Sequence, residues 1–340
     1  MEKYQDCNKK CKPNVNDKQK VDVENIKKCV STSCQDIYNL KRIPSYCDRI
    51  LHKYINIKVK SSKYESFMHS LNNSDHYVTK YTSNIIIDNI NLNIIYLTFN
   101  QNATTQDYKT LINNVNDYDI IIICQQETTM NDNLLKTMEI DNSDYYAIIE
   151  KTGLFFLKYN IRLGIYIKKT LYKDNNKDNN KDNNDDNNKN NNKNIIIKKK
   201  INKCLNLICT KGFVGISFIL IIDNKEIVFN VFGAHLPINT KVEDLGYKER
   251  IKGLIEMVKE CNELYIQNKP CINLIGGDLN FRIDYKENIE QLNMTLKGNI
   301  TDYYKTILGE DYKIFENKIN LFQGWSEDPI AFIPTCKINI

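Results

Sequence analysis

Cys271-Ile272-Asn273-Leu274-Ile275-Gly276-Gly277-Asp278-Leu279-Asn280-Phe281-Arg282 begins as an apolar strand and ends as a cluster of hydrogen-bonding side chains. The glycine pair lets the backbone turn tightly where the strand stops, which presents Asp278, Asn280 and Arg282 together at the edge of a sheet. Taken alone, the stretch also fits an ordinary strand-to-loop turn in which Gly-Gly-Asp merely bends the chain. Its counterparts elsewhere in the sequence decide between the two. The strand-like run 119–124 ends in Gln125-Gln126-Glu127, and the run 93–99 ends in Asn100-Gln101-Asn102. The run 226–233 leads into Ala234-His235-Leu236-Pro237, and a further polar turn reads Ser74-Asp75-His76. Strand-end carboxylates and carboxamides are the hard oxygen ligands that Mg2+ prefers. A single such end is a solvated turn; their recurrence marks a site.

Working outward, the runs 162–168 and 213–222 are also apolar enough for buried strands. Helical signals lie between them. Residues 107–115 form one, and residues 243–266 a longer one in which Leu245, Ile251, Leu254, Ile255, Val258 and Leu264 approximate a 3.6-residue period. Strands alternating with helices predict α/β layers. The 340 residues suffice for one two-sheet domain, and 41% hydrophobic residues can fill its core. No apolar run approaches the ~18 residues needed to span a bilayer. The start, MEKYQDCNKK, lacks the apolar segment of a secretory signal, and the end, KINI, lacks a prenylation cysteine. The expected location is therefore cytoplasmic, with peripheral membrane contact left open. Residues 153–157, Gly-Leu-Phe-Phe-Leu, read either as an exposed apolar loop for such contact or as a buried strand.

Two segments fall outside the layered pattern. Residues 1–40 are polar without strand or helix period and read as an extended arm, which leaves 41–340 as a single domain. Residues 173–194, KDNNKDNNKDNNDDNNKNNNKN, carry no apolar side chain to offset their ordering entropy and read as a disordered surface insertion. The 11 cysteines are an odd number in a chain with no secretory signal, so reduced, mostly buried thiols are expected rather than a disulfide framework. Cys7, Cys11, Cys29 and Cys34 have loose zinc-ligand spacing but lack the aromatic and glycine landmarks of a compact finger. The net charge of +5 mildly favours anionic partners such as phosphates. No basic stripe interleaved with aromatics is visible, so nucleic acid is not the expected partner.

With these residues in view, the chain resembles the inositol polyphosphate 5-phosphatases of the endonuclease, exonuclease and phosphatase superfamily. Thr98-Phe99-Asn100-Gln101-Asn102 resembles the family's TWNVNG, Gln126-Glu127 its LQE, Lys211-Gly212-Phe213-Val214 its KGGV, and Ala234-His235-Leu236 its SHL. The most specific likeness is GDLNFRI at residues 277–283. Gly324-Trp325-Ser326-Glu327 and Ile330-Ala331-Phe332-Ile333-Pro334-Thr335-Cys336-Lys337 look like GFxEGxIxFxPTYK, which is particular to 5-phosphatases among their relatives. The two motifs that normally follow stand here at the front. Residues 42–51, RIPSYCDRIL, resemble RxPAWCDRIL, and Ser74-Asp75-His76-Tyr77-Val78 resembles SDHRPV. A circular permutation, a misassembled gene model and a segment cut from a tandem array all give this order; permutation needs the family's usual ends to join through residues 79–92. Departures at Ala103, Phe213, Asp328 and Tyr77-Val78 touch loop geometry and substrate preference, not the chemistry.

The resemblance implies a DNase I-like, four-layer α/β sandwich of two packed, mostly antiparallel sheets flanked by helices, circularly permuted. It also implies Mg2+-dependent hydrolysis of the 5-phosphate of an inositol polyphosphate or phosphoinositide. Glu127, Asn100 and Asp75 would be metal ligands. Asp278 would activate the water, Asn280 fix the phosphoryl group, Asp48 hold His76 as a transition-state donor, and His235 add another donor. Arg282 and Lys337 would grip neighbouring phosphates, with Arg49 and Lys211 as further candidates. A nuclease or sphingomyelinase-like phosphodiesterase, or an inactive phosphoinositide binder, are the competing readings.

Overall fold

The computed structural model describes residues 47–67, 74–102, 112, 114–128, 144–152, 160–171, 194–206, 209–237, 243–280 and 323–328. In chain order the strands are β1 (Asp48–Ile55), β2 (Lys58–Phe67), β3 (Val78–Ile87), β4 (Ile90–Asn100), β5 (Ile120–Thr128), β6 (Tyr145–Lys151), β7 (Asn160–Lys168), β8 (Ile195–Cys204), β9 (Gly212–Ile222), β10 (Lys225–His235) and β11 (Cys271–Asp278). One long helix, α1 (Glu243–Glu263), connects β10 to β11. The strands form a five-stranded sheet in the order β1-β11-β10-β9-β8 and a six-stranded sheet in the order β2-β3-β4-β5-β7-β6.

Pairing is antiparallel except for one parallel pair in each sheet, β10 with β11 and β4 with β5. A parallel pair needs a crossover, and α1 supplies the one between β10 and β11. The two sheets pack face to face over alternate residues of the central strands, including Ile94 and Tyr96, Ile120 and Ile122, Leu163 and Ile165, Ile216 and Phe218, Phe229 and Val231, and Ile272 and Leu274. The outer face of the five-stranded sheet buries Leu51, Phe232 and Ile275 under Ile251, Leu254, Met257 and Val258 of α1. The opposite outer face buries Ile95, Leu97, Ile121 and Ile123 with Ile112 and Tyr145. The helix expected over 107–115 falls largely outside the described residues; Val115–Asp117 form a single 3-10 turn capped by Asn114.

Two packed, mostly antiparallel sheets with α1 on one face match the fold expected from the sequence. Residues 79–92 run through β3, which turns at Asp88 (φ 52°) into β4. β1 and β3, which flank β2 and the Asp75-His76 turn, are part of the core. β1 lies antiparallel to β11 with Asp48 opposite Asp278, and β3 lies beside β4 with Thr79 opposite Thr98. The free edge of β1 is covered in turn: His52 and Ser326 exchange two backbone hydrogen bonds of 2.9 Å each.

The cysteine expectation needs one correction. Cys204 and Cys209 form a disulfide, because the end of β8 and the tight loop after it bring their Cα atoms within 4.7 Å. Cys47, Cys124, Cys261 and Cys271 are buried, as small apolar residues should be. The arm, the Asn-rich insertion to residue 193, the four N-terminal cysteines, residues 153–157, Arg282 and Lys337 lie outside the described residues. Among the described residues no helix is long and apolar enough to cross a membrane.

Candidate active site at the strand ends

Strand direction places the site. Asn100 and Glu127 stand at or next to the C-terminal ends of the parallel strands β4 and β5, and His235 and Asp278 end the parallel strands β10 and β11. The antiparallel neighbours run the other way, so β1 begins at this same pole with Asp48, and β9 begins there just after Lys211. Asn100 pairs with Gln126, and His235 pairs with both Asp278 and Gly212. The glycines of the decisive stretch let the ends come this close. A Cβ on Gly277 (φ 148°) would sit 2.0 Å from the Ala234 carbonyl oxygen, and one on Gly276 would sit 2.7 Å from the Tyr96 ring of the other sheet.

Each expected site residue among the described set reaches this pole except Arg49. The Asp48 carboxylate and His76 Nδ1 are 2.8 Å apart, both side chains almost fully buried. Asp75 lies 3.7 Å from His76 Nε2. The turn that carries His76, between β2 and β3, is tied to the end of β4 in the same sheet, Ser74 Oγ donating to the Asn100 carbonyl at 2.5 Å and accepting from the His76 amide at 3.2 Å. Asp278 Oδ1 accepts from the Asn280 amide at 3.1 Å, while Oδ2 lies 3.3 Å from His235 Nε2 and 3.5 Å from Asn100 Nδ2. Glu127 Oε1 is 3.8 Å from His235 Nε2, and the Lys211 ammonium contacts the same nitrogen. Arg49 faces away: its buried guanidinium grips Glu327 with two nitrogens, and Tyr64 donates to the same carboxylate at 3.0 Å.

Glu127 and Asn280 both hold left-handed backbone, with φ of 53° and 54°. Asn tolerates that region; Glu rarely enters it, at a cost of about 1–2 kcal/mol. The strain holds a charged side chain at the rim of the pole. Asn280 Nδ2 donates to the Leu236 carbonyl at 2.9 Å, so its buried Oδ1 faces the site as an acceptor with no hydrogen-bond partner among the described residues. An acceptor there suits a water proton better than a phosphoryl oxygen.

Burial alone would raise the Asp278 pKa, but the His235 hydrogen bond and the neighbouring His76 and Lys211 outweigh it and hold the carboxyl well below the ordinary carboxylate range. His235 moves down: burial disfavours its charged form and Lys211 adds repulsion, against which Asp278 and Glu127 do not prevail. The folded protein therefore keeps His235 neutral below its ordinary pKa of 6.5, where the unfolded chain takes up a proton. The unfolded state then binds more protons, so His235 makes stability fall as pH drops below that value. Urea unfolding in chelator is expected to show lower stability at about pH 5.5 than at about pH 7.5, with a shallower slope in His235→Gln. An identical slope in the variant would remove His235 as the cause.

The donor chemistry fits a hard divalent cation. Glu127 offers a partly exposed carboxylate beside Asp278, and Asn100 offers a carboxamide on the adjoining strand. Among the described residues no three of His, Cys, Asp or Glu converge as a metal-binding group. Sequence reasoning had no signal for Tyr64 or for the Arg49–Glu327 pair, whose members stand 278 residues apart.

Comparison with known proteins is consistent with a phosphoesterase reading in general terms. No curated protein matches the sequence. Among solved structures, truncated Caenorhabditis elegans TDP2 aligns at 15% identity over 52% of this chain and 53% of that chain, with a TM-score of 0.30. The chain thus spans about half the length of that relative. The inositol polyphosphate 5-phosphatase domain of SPsynaptojanin, in complex with inositol (1,4)-bisphosphate and calcium ion, aligns at 15% identity over 66% and 62%, with a TM-score of 0.32. The human Nocturnin catalytic domain with bound sulfate aligns at 10% identity over 54% and 58%, with a TM-score of 0.29. The sequence profile of Endonuclease/Exonuclease/phosphatase family 2 matches residues 97–340, from the strand that ends in Asn100 through the stretch holding Asp278 and beyond, and the chain belongs to that family.

Proposed function

We propose that this protein hydrolyses the 5-phosphate of an inositol polyphosphate or phosphoinositide with the help of Mg2+. The observation that carries the reading is the Asp48–His76 pair. It lies in a segment ahead of the family match, yet the fold sets Asp48 opposite Asp278 and ties the His76 turn to Asn100. Motifs that stand in unusual order in the chain thus meet at one pole, which supports a circularly permuted domain. The substrate class rests on the 5-phosphatase-like stretches at 277–283 and 324–337.

Glu127 and Asn100 would hold the Mg2+, with Asp75 a further carboxylate nearby. When bound, the ion neutralises negative charge on the phosphoryl oxygens. Asp278, kept ionised by its neighbours, accepts one proton from the attacking water, while Asn280 Oδ1 accepts a hydrogen bond from the O–H that the water keeps. Asp48 fixes the proton on His76 Nδ1, and His76 Nε2 can then donate to the transferring group. Lys211 supplies fixed positive charge beside His235. Arg282 and Lys337 remain candidates for the other ring phosphates. We place the substrate as soluble or lipid-borne in a cytoplasmic setting, without nucleic acid.

The test is a panel of inositol phosphates and phosphoinositide vesicles, with DNA and sphingomyelin in parallel, assayed in Mg2+ and in chelator. Phosphate release is expected from 5-phosphorylated rings alone, and only with the metal. Cleavage of DNA or sphingomyelin instead would transfer the protein to a phosphodiesterase reading. Tight inositide binding without turnover would make it a binding protein.

A further inference from the structure

The disulfide Cys204–Cys209 lies against this site, and the other four cysteines among the described residues do not share its exposure. Those four are buried, whereas Cys204 is exposed and Cys209 half-buried, so a solution thiol can reach the pair. The short ring they close is held tightly to the next residues. The Lys211 amide donates to Asn206 Oδ1 at 3.0 Å, and the Leu205 amide donates to the Lys211 carbonyl at 2.8 Å. Within the ring, the Cys209 amide donates to the Asn206 carbonyl at 3.1 Å, and Asn206 Nδ2 donates to Thr210 Oγ1 at 2.8 Å. Thr152 Oγ1 fastens the ring to the other sheet through the Cys209 carbonyl at 2.9 Å. Cys209 itself holds left-handed backbone, φ 54°, a conformation that a non-glycine residue keeps only when its surroundings impose it.

Both backbone groups of Lys211 are therefore fixed by residues inside the ring, and its ammonium ends on His235 Nε2 beside Asp278 and Glu127. From this geometry we propose that Cys204–Cys209 is a reversible redox modification site, taking a dithiol reductant as its co-reactant, that sets the affinity of the neighbouring site for phosphate. The inference rests on the phosphoryl-site reading above. In the reducing direction a thiolate of the dithiol attacks one sulfur, the Cys204–Cys209 bond breaks, and a mixed disulfide forms. The second thiol of the reductant then displaces the remaining cysteine. Two electrons and two protons pass to the cysteine pair, and the reductant leaves as its cyclic disulfide. Opening the ring frees Cys209 from its imposed conformation and loosens the two backbone bonds that aim Lys211. The oxidised form presents the ammonium in a fixed place; the reduced form offers it as one conformer among several, and loses affinity for the anion.

The test uses the full chain prepared oxidised and reduced with dithiothreitol, with inorganic phosphate as the probe. Alkylation mass spectrometry reports the state of Cys204 and Cys209, and calorimetric titration reports phosphate affinity. The oxidised form is expected to bind phosphate about tenfold more tightly, the weight of one well-placed charged contact. Cys204→Ser should match the reduced form whatever the redox state, and Lys211→Ala should bind weakly in both states with no difference between them. Equal phosphate affinity in the two forms, with alkylation confirming both states, overturns the redox proposal and leaves the phosphoryl site standing. Thiols that stay free in oxidising buffer also overturn it. Phosphate binding in neither form overturns the phosphoryl-site reading, and the redox proposal with it.

Discussion

Phosphate release from a 5-phosphorylated inositide in Mg2+ is expected to fall about a thousandfold or more in Asp278→Ala and in His76→Ala, the range lost with a positioned acid, base or oxyanion donor. The two losses have different origins. Asp278 sits where its carboxylate stays ionised because the His235 hydrogen bond and the neighbouring His76 and Lys211 favour the charged form. That makes it always ready to accept a proton but a weak base, so the proton moves only as the new oxygen–phosphorus bond acidifies the water. Asp278→Asn keeps the shape and removes the base, and its loss should approach that of the alanine variant. His76 contributes a donor whose orientation is set by Asp48 at 2.8 Å. Asp48→Asn should therefore lose part of the same activity through a wrongly held ring. Steady-state phosphate release by the folded variants measures all four. Near-normal turnover in Asp278→Ala or His76→Ala would sink the assignment of this pole as the reaction site.

Arg49→Ala or Glu327→Ala is expected to cost about 3–5 kcal/mol of stability, because each removes one partner of a buried ion pair and strands the other. Both side chains are nearly inaccessible, and Tyr64 completes the network by donating to Glu327 and accepting from the Ile50 amide at 3.1 Å. Tyr64→Phe should cost about 1 kcal/mol, the scale of one neutral hydrogen bond in a mutational series. Replacing both charges together, Arg49→Met with Glu327→Leu, should recover much of the loss, since the desolvation penalty disappears with the pair. Urea unfolding midpoints at constant slope test this. Single variants as stable as the parent would show that the pair is solvated in solution. The network also explains why Arg49, a candidate for gripping substrate, faces away from the pole: its guanidinium joins the front of the chain to residues 325–328, which line the free edge of β1.

The strands that sequence reading located were the central ones. β4, β5, β7, β9, β10 and β11 are buried on one or both faces, and continuous runs such as Ile120-Ile121-Ile122-Ile123 declare themselves. Of the strands not read as apolar runs, β1, β2, β6 and β8 are the four sheet edges, and β3 is interior with buried and half-buried residues alternating. An edge strand needs only one neighbour and is often charged against further pairing, as in Ile195-Ile196-Ile197-Lys198-Lys199-Lys200 of β8, whose apolar and basic residues do not alternate. The Cys204–Cys209 bond was likewise missed, since counting cysteines says nothing of two that a tight loop brings together.

By itself the sequence determined the two-sheet α/β class, the course of α1 and the chemical character of the strand ends, because each depends on local apolar period and on residues adjacent in the chain. Asp278, Asn280, Glu127, Asn100 and His235 were legible because each follows an apolar run at a break in pattern. The tertiary structure alone decided which of these ends share a pole, since that depends on strand direction, and the parallel pairs β4–β5 and β10–β11 bring their four C-terminal ends to one side. It also decided that Asp48 lies opposite Asp278, that Asn280 turns its acceptor inward, and that Arg49 belongs to Glu327. Those contacts join residues between 44 and 278 positions apart, fixed by register and by the requirement that buried charge and buried polar groups find partners, which no local stretch of sequence can state.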